Sequence, residues 1–319
     1  MQSGLARLQE NGRFATQFLT QDIRQAGYMG CSTNNSVVST VIDDGGGLYD
    51  FIDFSNALEG LNNVDGTKID NTITPLAGTD VITIKYADNS SSCTVDSHNP
   101  TAASIKCDAP HSYQKGDVLI VSDCSHTGIF QQSNTNNNAT TATIVHNTGQ
   151  GTPGNCTKGL GSPLDCSTTN GTAYAFPPGA SVLKFQSYRY FIAENLSKEP
   201  ALFRQGIQTN GGATLAYADP IELVEGVEDM QILYGIDDGS DNAPDRYVDG
   251  TTANGSFDDV TAVRISLLLQ SNEEGIVSGT QTVPFRVASG ASVAGPTANY
   301  SDGRLRKVFT TTIAIRNRI

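Results

Sequence analysis

Tryptophan is absent from the sequence, so any flat aromatic platform for gripping sugars would have to come from tyrosine and phenylalanine. Cations are scarce as well: 20 Lys and Arg stand against 33 Asp and Glu, a net charge of −13. A nucleic-acid groove needs clustered Lys and Arg to meet phosphate, so that class of partner is excluded. No apolar run approaches the roughly 18 residues that a membrane span requires. None of the six cysteines forms a C-x-x-C pair, and His98, His111, His126 and His146 show no ligand spacing beside them, which argues against zinc. Catalytic signatures are missing too. Gly290-Ala-Ser-Val-Ala-Gly295 has the wrong spacing for a nucleophile elbow, and no phosphate or dinucleotide loop follows a strand. Carboxylates are plentiful, but a pair for glycoside hydrolysis has no distinguishing pattern among so many. The expectation is a protein that is not an enzyme and carries no resident cofactor.

What replaces charge is turn-forming residues. Only 17% of the chain is charged, while Gly, Asn, Thr and Ser are abundant, a balance typical of secreted β-rich proteins. The even cysteine count suits disulfides formed in an oxidising compartment. Six cysteines allow 15 pairings. Nearness in sequence favours Cys93 with Cys107 and Cys156 with Cys166, which leaves Cys31 with Cys124 as a long-range link from the chain's start to its middle.

The chain opens on an amphipathic pattern. Leu5, Leu8, Gly12, Ala15, Leu19, Ile23 and Ala26 fall three or four residues apart, with Phe14 and Phe18 flanking the stripe, and Gly27 sits where a helix end favours positive φ. This predicts one helix over about residues 3–27. Residues 32–79 read as irregular, with short apolar pieces at 37–41 and 48–54. Strand patterns follow at 80–86, 117–122 and 142–146, separated by a low-complexity tract at 131–141. Longer ones lie at 181–193, 201–205, 221–226, 227–234, 260–269 and 307–316. No βαβ alternation appears, so the sheets should be antiparallel. The predicted class is α+β: an N-terminal amphipathic helix packed on antiparallel sheet, with a second β-rich region inserted at about 80–180.

One loop is densely acidic. Asp237, Asp241 and Asp245 lie four residues apart, with Asp238 and Asn242 beside them. A calcium loop wants hard oxygens at alternate positions and a glycine at its sharp turn. Here Gly239 occupies a ligand place and Ala243 the glycine place. Two readings stand: a calcium site through Asp237, Asp238, Asp241 and Asp245, or a solvated hairpin tip.

The wording of several segments goes further than their periodicity. Arg7-Leu-Gln-Glu-Asn-Gly-Arg-Phe-Ala15, Asp22-Ile-Arg-Gln-Ala-Gly-Tyr-Met-Gly-Cys31, the stretch around Cys124, Leu223 to Asp237, Val263 to Leu269 and Phe309 to Arg318 lie in order along the chain. Together they resemble the PilW family of type IV pilus minor pilins, with no such likeness at about 32–115 or 131–180. The resemblance implies a pilin-like fold, in which residues 1–30 are the exposed half of the pilin helix with its turn and 31–319 the globular head. The apolar helix half that would anchor it in the inner membrane is not in this chain, so an ectodomain is expected. The implied partners are other minor pilins, the major pilin and a tip adhesin, met first in the inner membrane and periplasm and then at the extracellular pilus tip. Phe14 and Phe18, on the rim of the helix stripe, are the expected contact to a neighbouring subunit. The alternatives are a J-type pseudopilin of type II secretion and a free extracellular β-rich binding module.

Overall fold

The computed structural model describes residues 2–31, 36–43, 56–134, 142–210, 213–239, 241–283 and 298–317. The apolar piece at 48–54, most of the tract at 131–141 and the motif at 290–295 lie outside them. Helix α1 (Gln2–Ile23) comes first, then the short strands β1 (Val37–Thr40) and β2 (Leu58–Leu61). The middle of the chain forms β3 (Val81–Asn99), β4 (Ser104–Cys107), β5 (Val118–Ser122), β6 (His126–Gln131) and β7 (Thr143–Val145). Next are β8 (Ser181–Glu194), β9 (Pro200–Asn210), β10 (Thr214–Tyr217), β11 (Ile221–Glu225), β12 (Val227–Ile236) and β13 (Arg246–Val248). One turn of helix, α2 (Gly250–Ala253), leads to β14 (Val260–Gln270), β15 (Gln281–Val283), β16 (Ala298–Tyr300) and β17 (Arg306–Ala314).

The class expected from sequence is therefore corrected. Among the described residues seventeen strands stand against one 22-residue helix and one of four residues, so the protein is mainly β rather than a pilin-like α+β arrangement. The error lies in the polar stretches. The strand pattern at 80–86 stops short of the polar run Asp88-Asn-Ser-Ser-Ser92, yet β3 runs on through it, because β8 pairs on both sides of a register shift between Asp88 and Cys93. Cross-strand pairing outweighs local propensity here.

Strands β1, β6, β5, β8, β3, β4 and β7 lie in that order in the larger sheet, with β2 on β3 and β9 carrying β10 and β11. The smaller sheet runs β13-β12-β14-β17, and β15 pairs with β16. β14 (Val-Thr-Ala-Val-Arg-Ile-Ser-Leu-Leu-Leu-Gln) is buried on both faces except at Arg264, as its run of β-branched and leucine residues requires of a central strand. All named pairings are antiparallel except one. β1 runs parallel to β6, with Val37 opposite His126. The cause is the Cys31–Cys124 disulfide: both chains leave the bridge side by side in the same direction.

Asp80 joins the two sheets. Its N–H donates to the Met230 carbonyl at 2.9 Å, and its carboxylate accepts from the Ile232 and Asn63 amides at 2.7 and 2.8 Å. Gln231 Nε2 adds a bond to the Gly78 carbonyl at 2.8 Å. Residues 78–80 thus cover one edge of β12. Burial pushes the Asp80 carboxyl up to about 7, against the pull of those two amides.

Candidate functional site: the seat of the N-terminal helix

Helix α1 lies against β11, β14 and β17. Leu8, Ala15, Leu19, Ile23 and Ala26 are buried in one core with Met230, Ile232, Ile265 and Ile313. Leu5, the first member of the stripe, is 39% exposed. Gly12 allows the closest approach: a Cβ there would fall 2.4–2.6 Å from ring atoms of Phe309 on β17. Gly12→Leu is therefore expected to lower stability by about 2 kcal/mol through overpacking, although leucine favours the helix by nearly 1 kcal/mol over glycine. Urea midpoints measure it, and adding Phe309→Ala should recover part of the loss. A stabilised Gly12→Leu variant would show that the ring is free to swing away.

Near its C-terminal end the helix inserts a carboxylate into the protein. Asp22 is 3% exposed. It accepts from Tyr86 on β3 at 3.2 Å and from Tyr190 on β8 at 2.5 Å, and Arg204 on β9 reaches it at 3.5 Å. The Arg204 guanidinium also lies 4.5 Å from the centre of the Tyr188 ring. Burial, and then the Asp22 charge, drive the Tyr86 and Tyr190 hydroxyls far above their usual range, so both stay protonated donors. Three strands of the larger sheet thus hold one helical residue.

The chain then leaves the helix through further bonds to the same sheet. Gly27, at φ +74°, donates its N–H to the Lys85 carbonyl at 3.0 Å, and Ala87 donates to the Tyr28 carbonyl at 2.6 Å. Cys31 closes the exit through Cys124, and the other disulfides are Cys93–Cys107 and Cys156–Cys166. Midway along the helix Asn11 Nδ2 donates to the Glu225 carbonyl at 3.1 Å. A cleft of about 380 Å³ separates the first turns, including Arg7, Glu10 and Asn11, from residues 270–273.

The outer face of α1 carries Arg7 and Arg13, and Arg24 follows its last residue, all exposed, on a protein of charge −13. Phe14 is 41% exposed, with the Arg13 guanidinium 5.9 Å from its ring centre, whereas Phe18 is half-buried against the core. The two rings placed together on the rim by sequence thus have different settings.

In the acidic loop the carboxylates turn onto their own backbone. Asp237, 5% exposed, accepts from the Gly239 and Asn242 amides at 3.0 and 2.9 Å. Asp241 accepts from the Ala243 amide and Asp245 from the Asp238 amide, at 2.9 and 2.8 Å. Arg246 grips Asp238 with two bonds, at 2.7 and 3.1 Å, which holds that carboxyl below its usual range. Among the described residues no group of three or more His, Cys, Asp or Glu side chains is placed to hold a metal ion. With these acceptors already engaged, about 1 mM calcium, ten times a weak extracellular dissociation constant, is expected to leave the melting temperature unchanged. A rise of several degrees that Asp241→Asn removes would restore the calcium reading.

Residues 189–317 match the family model of PilW, the type IV pilus-assembly protein W. Over these residues the chain is PilW-like, similar to a type IV pilus-assembly protein. No curated protein and no solved structure matches it. The PilW match begins within β8 and takes in every strand from β9 to β17, so it contains β11, β14 and β17 beneath α1, and both Tyr190 and Arg204. The helix itself and residues 24–188 lie outside it. PilW proteins are components of pilus assembly rather than a family of enzymes. No helix among the described residues is long and apolar enough to cross a membrane.

The hydrophobic pattern overlooked Asp22, because it looks only for apolar residues. The signal is present nonetheless: Asp22 falls three residues after Leu19 and four before Ala26, a charged side chain inside the buried stripe. Tyr86, Tyr190 and Arg204, scattered over 118 residues, had no sequence signal of convergence.

Proposed function

We propose that this chain is a structural minor pilin, one subunit of the complex that primes pilus assembly at the tip and links it to a tip adhesin. The observation that carries the reading is α1 itself. Its inner face is fixed to the PilW-like strands, while its outer face offers Phe14, Arg7 and Arg13. A helix fastened so firmly on one side and left open on the other suits lateral packing against a neighbouring subunit's helix. Phe14, the exposed ring, is the contact, and Phe18 serves the protein's own core. Other pilus components are the partners, and the cell envelope and pilus are the setting.

The test uses the full-length protein in a piliated bacterium that depends on it. Phe14→Ser should leave the melting temperature of the head unchanged, because the ring is exposed and faces away from the core. It should also reduce both sheared surface pili and co-purification of other minor pilins severalfold. Normal piliation and undiminished recovery would place the subunit contact elsewhere.

A further inference from the structure

The smaller sheet ends in an open strand. On the β13 side, β12 is covered by β13 and by residues 78–80. On the other side β17 pairs with β14 alone among the described residues. The Ile315 amide donates to the Thr261 carbonyl at 2.9 Å, and the Ser271 amide to the Leu305 carbonyl at 2.8 Å. In an antiparallel ladder such inward residues alternate with outward ones. Leu305, Lys307, Phe309, Thr311, Ile313 and Ile315 therefore bond inward to β14, and Arg306, Val308, Thr310, Thr312 and Ala314 present their N–H and C=O groups outward.

The protein caps the first of these itself. The Gln281 side-chain amide takes the Arg306 N–H at 2.9 Å and donates to the Arg306 carbonyl at 2.7 Å, like one residue of an added strand. The next four outward positions receive no such cap from a described residue. Exposed cations flank them, Lys307 at one end and Arg316 at the other.

We propose that this edge, from Val308 to Ala314, receives an extended segment of another protein as an added strand, and that the segment carries carboxylates at its ends. Main-chain bonding supplies the affinity and the flanking charges supply the choice. Arg306 takes no part in that choice, because its guanidinium is buried and held by Glu228 and Asp302. The inference extends the pilus-assembly reading by naming a second surface, and its binding test can fail while that reading stands.

The probe is a fluorescent nonapeptide, Asp-Glu-Val-Thr-Val-Thr-Val-Glu-Asp, titrated against the protein. Saturable binding is expected, about tenfold weaker when the acids are replaced by lysines. Thr312→Pro deletes one outward N–H and leaves the β14 ladder intact, as proline on an edge strand does. It should weaken binding about tenfold with the melting temperature retained. Should it fail to fold, Lys307→Glu with Arg316→Glu, at two exposed positions, gives the same readout. Binding unaffected by these changes, or none up to millimolar peptide, overturns the proposal. A concentration-dependent dimer lost in Thr312→Pro would give the edge to a second copy. Binding that appears only once residues 286–295 are replaced by a short glycine-serine link would give it to the chain's own segment.

Discussion

Asp22→Leu is expected to destabilise the protein by about 3 kcal/mol, a fall of roughly 6–10 °C in melting temperature for a chain of this size. The substitution is close in volume and favours the helix, so packing and propensity predict little change. The loss comes from what it leaves behind: two buried tyrosine hydroxyls without their acceptor and the Arg204 guanidinium without its carboxylate. Arg204 keeps 29% side-chain exposure, so water softens its part of the cost. Tyr190→Phe removes one donor and should cost about 1 kcal/mol. Combining Asp22→Ala with Tyr190→Phe should give less than the sum of the two, because both sever the same bond. Additive losses, or an Asp22→Leu melting temperature within a degree of the parent, would show that the cluster does not hold the helix.

The second large effect is acid sensitivity of the region around β3, β4 and β7. His98 Nδ1 accepts from the Phe176 amide at 3.1 Å, so the proton of its neutral ring sits on Nε2, which donates to His146 Nε2 at 3.1 Å. A second proton on either ring breaks one of these bonds. Phe130 and Phe176 pack against the pair, and the charge that reaches His146 from Lys158 is positive too. Burial holds His98 down to about 4, and burial together with its neighbour holds His146 lower still. The unfolded chain takes up protons near pH 6.5 and the folded one does not, so this contribution to stability is intact above 6.5 and drains away as pH falls to about 4. After a discount for the partial exposure of His98, the loss is on the order of 3 kcal/mol.

Asp80 works the other way. Its carboxyl at about 7 lets the folded state bind a proton that the unfolded state refuses until about 3.8, so acidification over that range adds stability. The informative quantity is the difference between variants in urea titrations from pH 7.5 to 4. His146→Phe should flatten the acid loss and Asp80→Asn should steepen it. Identical pH slopes for all three proteins would refute both assignments.

How much of this was legible in the sequence depends on the kind of signal. The apolar row Leu8, Ala15, Leu19 and Ile23 repeats at helical spacing, and those residues are buried. The strands at 227–234, 260–269 and 307–316 are β-branched and pair with one another as β12, β14 and β17. These are local signals that packing reinforces. What stayed hidden depends on distant partners. β1 is parallel because a disulfide aligns it, β3 crosses a polar run because β8 pairs on both sides, and residues 78–80 complete a sheet that begins 147 positions later. The site divides in the same way. Phe14 and Phe18 look alike in sequence, and only the core beneath them separates one from the other.

The cystine at the foot of α1 has a mechanical consequence. A pull on the helix from its N-terminal end travels along the chain as far as Cys31, then crosses through sulfur to Cys124. Load can strip α1 from its strands, but it bypasses the 92 residues between the two cysteines, which would otherwise pay out about 300 Å of slack. In oxidising surroundings the extension under tension is therefore shorter by that loop. In a reductant that shortening disappears, and single-molecule stretching should record the difference as one additional long unfolding step.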